Sequence, residues 1–114
     1  MASMFFLCTG ITTLPNVLFS PPPNVVTTLN GTFRGTAALT AIPNSLFDNI
    51  SGSAASPKTI NLTSVFRQTT TVNALTGNAP TIWSYPYLTA SLSTNAFTNC
   101  TGLTNYASIP AGWK

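Results

Sequence analysis

The side chains that could do chemistry are few. Of 114 residues, five carry charge: Arg34, Lys58, Arg67, Lys114 and the single acid Asp48. There is no histidine. A glycosidase sets two carboxylates about the bond it breaks, and Asp48 has no second acid to work with. No Ser or Cys has a histidine to activate it, so a nucleophile with an adjacent base cannot be assembled. Metal sites draw on clustered His, Cys or acidic ligands, and the sequence has no such cluster. The seven glycines are scattered and form no phosphate-cradling loop. This inventory predicts a protein that is not an enzyme and that needs neither metal nor cofactor.

What remains is chemistry of recognition. Arg34 and Arg67 each follow a phenylalanine, Phe33 and Phe66. If those phenylalanines are equivalent, the arginines share one face. One reading is a small clamp for sulfate, phosphate or an acidic sugar. The other, which the near-neutral composition favours, is a pair of solvated arginines. The segment 83–88, Trp-Ser-Tyr-Pro-Tyr-Leu, carries the densest aromatic group. Tyr and Trp join large area to a polar tip, and aromatic rings stack on sugar faces. Trp83 is assigned to the core. Tyr85 and Tyr87 stay divided between a binding surface and the capping of a loop.

Composition sets the background for these sites. The chain is 44% hydrophobic but only 4% charged, against roughly a quarter charged in ordinary domains. Thr, Ser and Asn supply most of the polar surface, which is therefore neutral and rich in hydrogen-bonding groups. Four scattered cations do not make the clustered basic face that nucleic acid requires. The opening residues show a short apolar run at 4–8 without a basic flank, too short for a signal-peptide core, and no run reaches the length of a membrane span. Neither nucleic-acid binding nor membrane insertion is expected. The Asn-x-Ser/Thr triplets at Asn30, Asn49, Asn61 and Asn99 are no more than chance supplies in so Thr-rich a chain.

The elements that must position these residues come from an internal repeat. The segment 5–19, FFLCTGITTLPNVLF, aligns without a gap on 33–47, FRGTAALTAIPNSLF. Apolar matches fall at Phe5/Phe33, Ile11/Leu39, Leu14/Ile42, Leu18/Leu46 and Phe19/Phe47. Pro15 and Asn16 match Pro43 and Asn44. A third unit opens at Phe66, with Thr69, Val72 and Leu75 in register and Ile82-Trp83 in place of the Leu-Phe pair. A fourth opens at Phe97 and runs through Cys100, Leu103 and Tyr106 to Ile109-Pro110 and Trp113. The steps are 28, 33 and 31 residues, a period that signals stacked supersecondary units. Val26, Leu29 and Phe33 are spaced for one face of a short helix. The Leu-Thr-x-Ile-Pro stretch reads as a short strand near 39–42 that ends at its proline. Turns or single helical turns are expected at 16–19 and 44–47, with loops at 20–24 and 51–57. Cys8 and Cys100 occupy one slot three units apart. At roughly 5 Å per coil that is about 15 Å, too far for a disulfide, so a buried Cys/Thr column with Thr36 and Thr69 is expected.

On these residues the chain resembles the BspA-like leucine-rich repeats. Phe-x-x-Cys-Thr-Gly-Leu-Thr at 97–104 and Ile-Pro-x-x-Leu-Phe at 42–47 carry the resemblance, and the third unit departs from it. The resemblance implies an α/β repeat solenoid, leucine-rich-repeat-like, with short parallel strands, short helical turns and irregular loops. It would form one domain over 1–114 with about 3.5 repeats, the units starting near 5, 33, 66 and 97. Such repeats occur in bacterial surface proteins and in phage tail fibres and appendages, where they mediate adhesion.

The expected function is accordingly a non-enzymatic binding or adhesion module, the receptor-binding or tip domain of a phage fibre or surface appendage. Its partner would be a cell-surface glycan or protein receptor, and its location the virion or the extracellular surface. Two alternatives stand beside it. One is a structural or decoration subunit that contacts other virion or appendage subunits, or copies of itself, through an uncapped N-terminal end at Met4, Phe5 and Phe6. The other is a fragment of an adhesin on the bacterial cell surface. The candidate binding surface comprises Tyr85, Tyr87, Arg34 and Arg67, while Trp113 is expected to cover the last core slot.

Overall fold

The computed structural model describes residues 1–16, 18–19, 26–50 and 52–114; the loop expected at 20–24 lies outside them. The sheet is entered through a hairpin. Strand β1 (Gly52–Ser53) turns through Ala54 and Ala55 into β2 (Ser56–Asn61), pairing Gly52 with Pro57 and Ser53 with Ser56. Gly52 makes the reversal possible. Its φ is +82°, and an added Cβ would lie 2.8 Å from both Lys58 N and Ser56 O, a conformation glycine adopts without strain. Strand β3 (Leu88–Leu92) lies parallel to the other edge of β2, from Lys58 opposite Leu88 to Ile60 opposite Ala90, with a shift before Asn61 meets Leu92. β2 places Thr59 and Ile60 side by side, a β-branched pair that suits a pleated surface. Among the described residues the other regular elements are single 3₁₀ turns at Asp48–Ile50, Ile82–Ser84, Tyr106–Ser108 and Ala111–Trp113, with an isolated parallel bridge between Thr28 and Asn61.

This overturns the expected α/β leucine-rich-repeat solenoid of about 3.5 repeats. Among the described residues there is no α-helix, and the one sheet is a small mixed one with strand order β1-β2-β3. The radius of gyration, 13.0 Å, is that of a compact chain of this length. The stretch 26–33 fails as a helix for local reasons. Thr and Asn side chains compete for its backbone groups, and Gly31 sits at φ +58°. The strand expected near 39–42 is also absent; Thr40 makes one backbone bond to Thr12 (3.0 Å) and one from Thr76 (2.9 Å). Strand pairing falls instead on part of the Ser/Pro-rich stretch 51–57 that was expected to be a loop. Val72, expected in register with the core, is 86% exposed.

What the internal similarity does produce is a column of rings. Phe5, Phe33, Phe66 and Phe97 stack in order, with centroids 5.5, 5.3 and 5.7 Å apart and planes within 19° of parallel. The last three are fully buried, with Leu29, Leu62 and Leu75 among their core neighbours. A second aromatic row, Phe19, Phe47 and Trp83, packs beside the first at edge-on or tilted angles.

Backbone bonds hold the column in register. The N–H groups of Ser3, Phe5 and Leu7 donate to the carbonyls of Asn30, Thr32 and Arg34. Gly31, Phe33 and Gly35 donate in the same way to Thr63, Val65 and Arg67. Ser64, Phe66 and Gln68 donate to Thr94, Ala96 and Thr98. Around each phenylalanine the chain is turned by positive φ two residues away: at Ser3 and Leu7, Gly31 and Gly35, Ser64, and Asn95 and Asn99. The exception is Gln68. It is buried, and its Nε2 donates to the Phe66 carbonyl while Oε1 has no partner among the described residues. The third turn thus differs at the point where the sequence similarity weakens.

Candidate functional site

A cleft of about 220 Å³ opens where segments from three parts of the chain meet, lined by Asn44, Asn78, Ala79, Pro80, Thr81, Tyr85 and Asn105. Its floor is fixed by Asn105. The Asn105 Nδ2 donates to the Ala79 carbonyl (2.9 Å), and the Ala79 N–H donates to Asn105 Oδ1 (2.7 Å). Ala79 and Pro80 are buried beneath. One wall is Tyr85, which follows the 3₁₀ turn Ile82–Ser84 and returns its N–H to the Ile82 carbonyl. Its hydroxyl donates to Asp48 Oδ1 at 2.9 Å, with the Asn44 carbonyl at 3.3 Å as a weaker acceptor. Burial, and then the neighbouring Asp48 carboxylate, push the Tyr85 phenol up to about 12. The wall is therefore a neutral, immobilised ring. The side-chain amides of Asn44 and Asn78 are exposed and make no hydrogen bond with the described residues.

The expected site residues do not converge. Tyr85 enters the cleft, but Tyr87 does not line it; it is 41% exposed and offers only its carbonyl, to the Lys58 N–H. Trp83, expected in the core, is half-buried, edge-on to Phe97 and Trp113. Arg34 lies with its guanidinium carbon 5.3 Å from the centre of the Phe6 ring, and its Nε is buried with no partner among the described residues. That contact commits Arg34 to an aromatic neighbour. Arg67 sits one coil further, its carbonyl accepting from the Gly35 N–H. The Cys/Thr column is only partly buried: Thr36 and Cys100 are inside, Cys8 and Thr69 outside, and both cysteines are free thiols. Among the described residues no three His, Cys, Asp or Glu side chains are placed to hold a metal, and no helix is long and apolar enough to cross a membrane.

The sequence reading missed Asn44, Asn78 and Asn105 as site residues. Asn44 stood in the repeated Pro-Asn pair, and Gly77-Asn78 carries an ordinary turn signal. Nothing local distinguishes an amide that closes a turn from one that lines a cleft.

A second feature is the surface at 1–7. Met1, Met4, Phe6 and Leu7 are each 43–51% exposed, more than half of the large apolar side chains exposed among the described residues. Phe5 is half-buried, one ring face on Phe33. The expected assembly residues Met4, Phe5 and Phe6 thus lie together at the end of the ring column.

No protein-family model matches this chain, and neither a curated protein nor a solved structure shows significant similarity to it.

Proposed function

We propose that this protein is a non-enzymatic recognition module that holds an uncharged, hydroxyl-rich ligand, a neutral sugar of a cell-surface glycan, in the cleft at Tyr85. The observation that carries this reading is the pair of uncommitted amides, Asn44 and Asn78, beside a ring whose own hydroxyl is already tied down. An amide offers one acceptor and two donors, the complement of neighbouring sugar hydroxyls. A fixed aromatic face adds stacking area at little entropic cost. The cleft is smaller than the roughly 300 Å³ at which drug-sized sites begin, so it takes one sugar ring rather than a long oligosaccharide. The only acidic side chain of the sequence, Asp48, accepts the Tyr85 hydroxyl and so fixes the ring rather than presenting itself to the cleft. The resemblance at 42–47 and 97–104 supports a setting at a phage fibre tip or another surface appendage.

The test is a nuclear magnetic resonance titration of the whole protein with neutral monosaccharides and disaccharides, alongside a glycan array. Saturable shifts confined to residues around 44, 78–85 and 105 are expected at millimolar ligand. Replacing Asn78 by Ala should weaken binding about tenfold, a loss of about 1.4 kcal/mol, and leave the melting temperature unchanged because the side chain is exposed. Absence of binding across the panel, or shifts that survive Asn78→Ala and Asn44→Ala together, would overturn the reading. Selective binding of a peptide in the same cleft would replace the sugar with a protein receptor.

A further inference from the structure

An asparagine can modify itself when the backbone nitrogen that follows it is free to attack its side-chain carbonyl. The chain has eleven asparagines, and Asn30, the only one followed by glycine, is the pair in which the next side chain hinders that attack least. The fold withholds it. The Gly31 N–H is buried and donates to the Thr63 carbonyl at 2.9 Å, as one step of the ladder that holds the ring column. Seven of the other eight asparagines whose following residue is described are withheld in the same way. The N–H groups of Leu62 and Ala74 donate across to the carbonyls of Leu92 and Ala37, and that of Ala79 donates to Asn105 Oδ1. Those of Ile50, Ala96, Cys100 and Tyr106 close turns onto carbonyls three residues back. Asn44 is different. Among the described residues nothing accepts from the Ser45 N–H, and the Asn44 side-chain amide is exposed in the lining of the cleft.

We propose that Asn44 is the site at which the folded protein modifies itself, by a backbone-assisted deamidation that puts a second carboxylate into the cleft. The Ser45 nitrogen gives its proton to hydroxide and attacks the side-chain carbonyl carbon of Asn44. A nitrogen–carbon bond forms, the bond from that carbon to Nδ2 breaks, and ammonia leaves. One water then opens the five-membered imide at either carbonyl, leaving aspartate or isoaspartate at position 44. Nothing is oxidised or reduced. At Asn30 the same step must wait for the ladder to open locally, because a buried N–H stripped of its acceptor costs free energy. At Asn44 no such bond has to break. The change has a definite chemical consequence. The Asn44 backbone carbonyl lies 3.3 Å from the Tyr85 hydroxyl, which donates to Asp48. The new carboxylate therefore arises beside the chain's single acid, and an amide that could both donate and accept becomes a group that only accepts. The modification stands on its own; its effect on a ligand rests on the sugar-binding reading.

The test holds the whole protein at mildly alkaline pH, native and in urea, and maps its peptides at intervals for aspartate and isoaspartate. In the native protein conversion at position 44 should outrun conversion at position 30. In urea every N–H is free, and the order should reverse, because glycine hinders the attack less than serine does. In heavy-oxygen water each conversion should take up one labelled oxygen. Ser45→Val crowds the attacking nitrogen with a β-branched side chain; it should slow conversion at 44 severalfold and leave conversion at 30 as it was. The proposal is overturned if position 30 converts as fast as position 44 in the native protein, or if Asn44 stays intact over the time in which urea consumes Asn30. An unchanged rate at 44 in Ser45→Val would overturn it as well. The converted protein, separated by its altered charge, is then titrated with the neutral monosaccharides. Binding seen in the parent should be lost, and equal binding would overturn the effect on the cleft. If the parent itself binds none of them, the sugar reading falls, while the peptide maps still decide the modification.

Discussion

The rings of Phe33 and Phe66 lie 5.3 Å apart, centroid to centroid, and 6° from parallel. Both are fully buried, and each coil is tied to the next by the N–H of its own phenylalanine. Side-chain stacking and backbone pairing therefore act at the same residue. Losing one ring opens a void between two others and loosens a ladder step.

Phe66→Ala should cost about 3–5 kcal/mol, the range for truncating a buried aromatic. Phe5→Ala should cost much less, because Phe5 is half-buried and stacks on one side only. Urea denaturation of the two variants checks the order; equal losses would show that the column does not carry the stability of the fold.

At the hairpin the constraint is backbone rather than packing. Gly52→Ala places a Cβ 2.8 Å from Lys58 N and Ser56 O at a φ of +82°. Strain of this kind costs about 1–3 kcal/mol. Gly112→Ala meets nothing within 4 Å and should leave the unfolding midpoint almost unchanged. A melting comparison of the two variants separates a glycine that the turn requires from one that it tolerates.

The sequence carried the ring column but not the architecture. Spacing alone marked Phe5, Phe33, Phe66 and Phe97 as equivalent, since a repeated large apolar residue with like neighbours on both sides leaves a clear periodic trace. The conformation between them left none. Val26, Leu29 and Phe33 fit helical spacing, yet Gly31 and Gly35 at positive φ make that stretch a chain of turns. The strands formed in a Ser-, Ala- and Pro-containing segment whose composition reads as loop, because Gly52 permits a reversal that brings Ser53 opposite Ser56. Of the candidate site, Tyr85 was visible as part of an aromatic cluster. Asn44, Asn78 and Asn105 were not, because their meeting depends on how three distant turns pack.

The two cysteines should differ sharply in reactivity. Cys8 is exposed, whereas Cys100 is buried, its thiol donating to the Phe66 carbonyl at 3.2 Å. Burial pushes the Cys100 thiol up to about 12, although a backbone hydrogen bond at Gln68 pulls the other way. Thiolate is the reactive species. At mildly alkaline pH an alkylating reagent should label one site per folded molecule and two in urea. Mass mapping that found Cys100 modified in the native protein would show that the interior around Phe97 opens readily.

Tyr85 gives the fold a pH dependence of definite sign. Its phenol is raised from 10.0 to about 12, first by burial and then by Asp48. The folded state therefore favours the protonated form more than the unfolded chain does. Below the unfolded value the residue is protonated in both states, and its contribution to stability is fully present. Between 10.0 and about 12 the unfolded chain ionises while the folded one does not, so that contribution falls as pH rises, and it is gone once the folded phenol ionises. Tyr85→Phe keeps the ring and removes the titration. Its urea midpoint should start lower than that of the parent near neutral pH, since the bond to Asp48 is lost, and the two curves should converge as pH climbs through this window. Parallel curves would mean that the phenol is neither buried nor paired with Asp48 in solution, and the immobilised wall of the cleft would go with them.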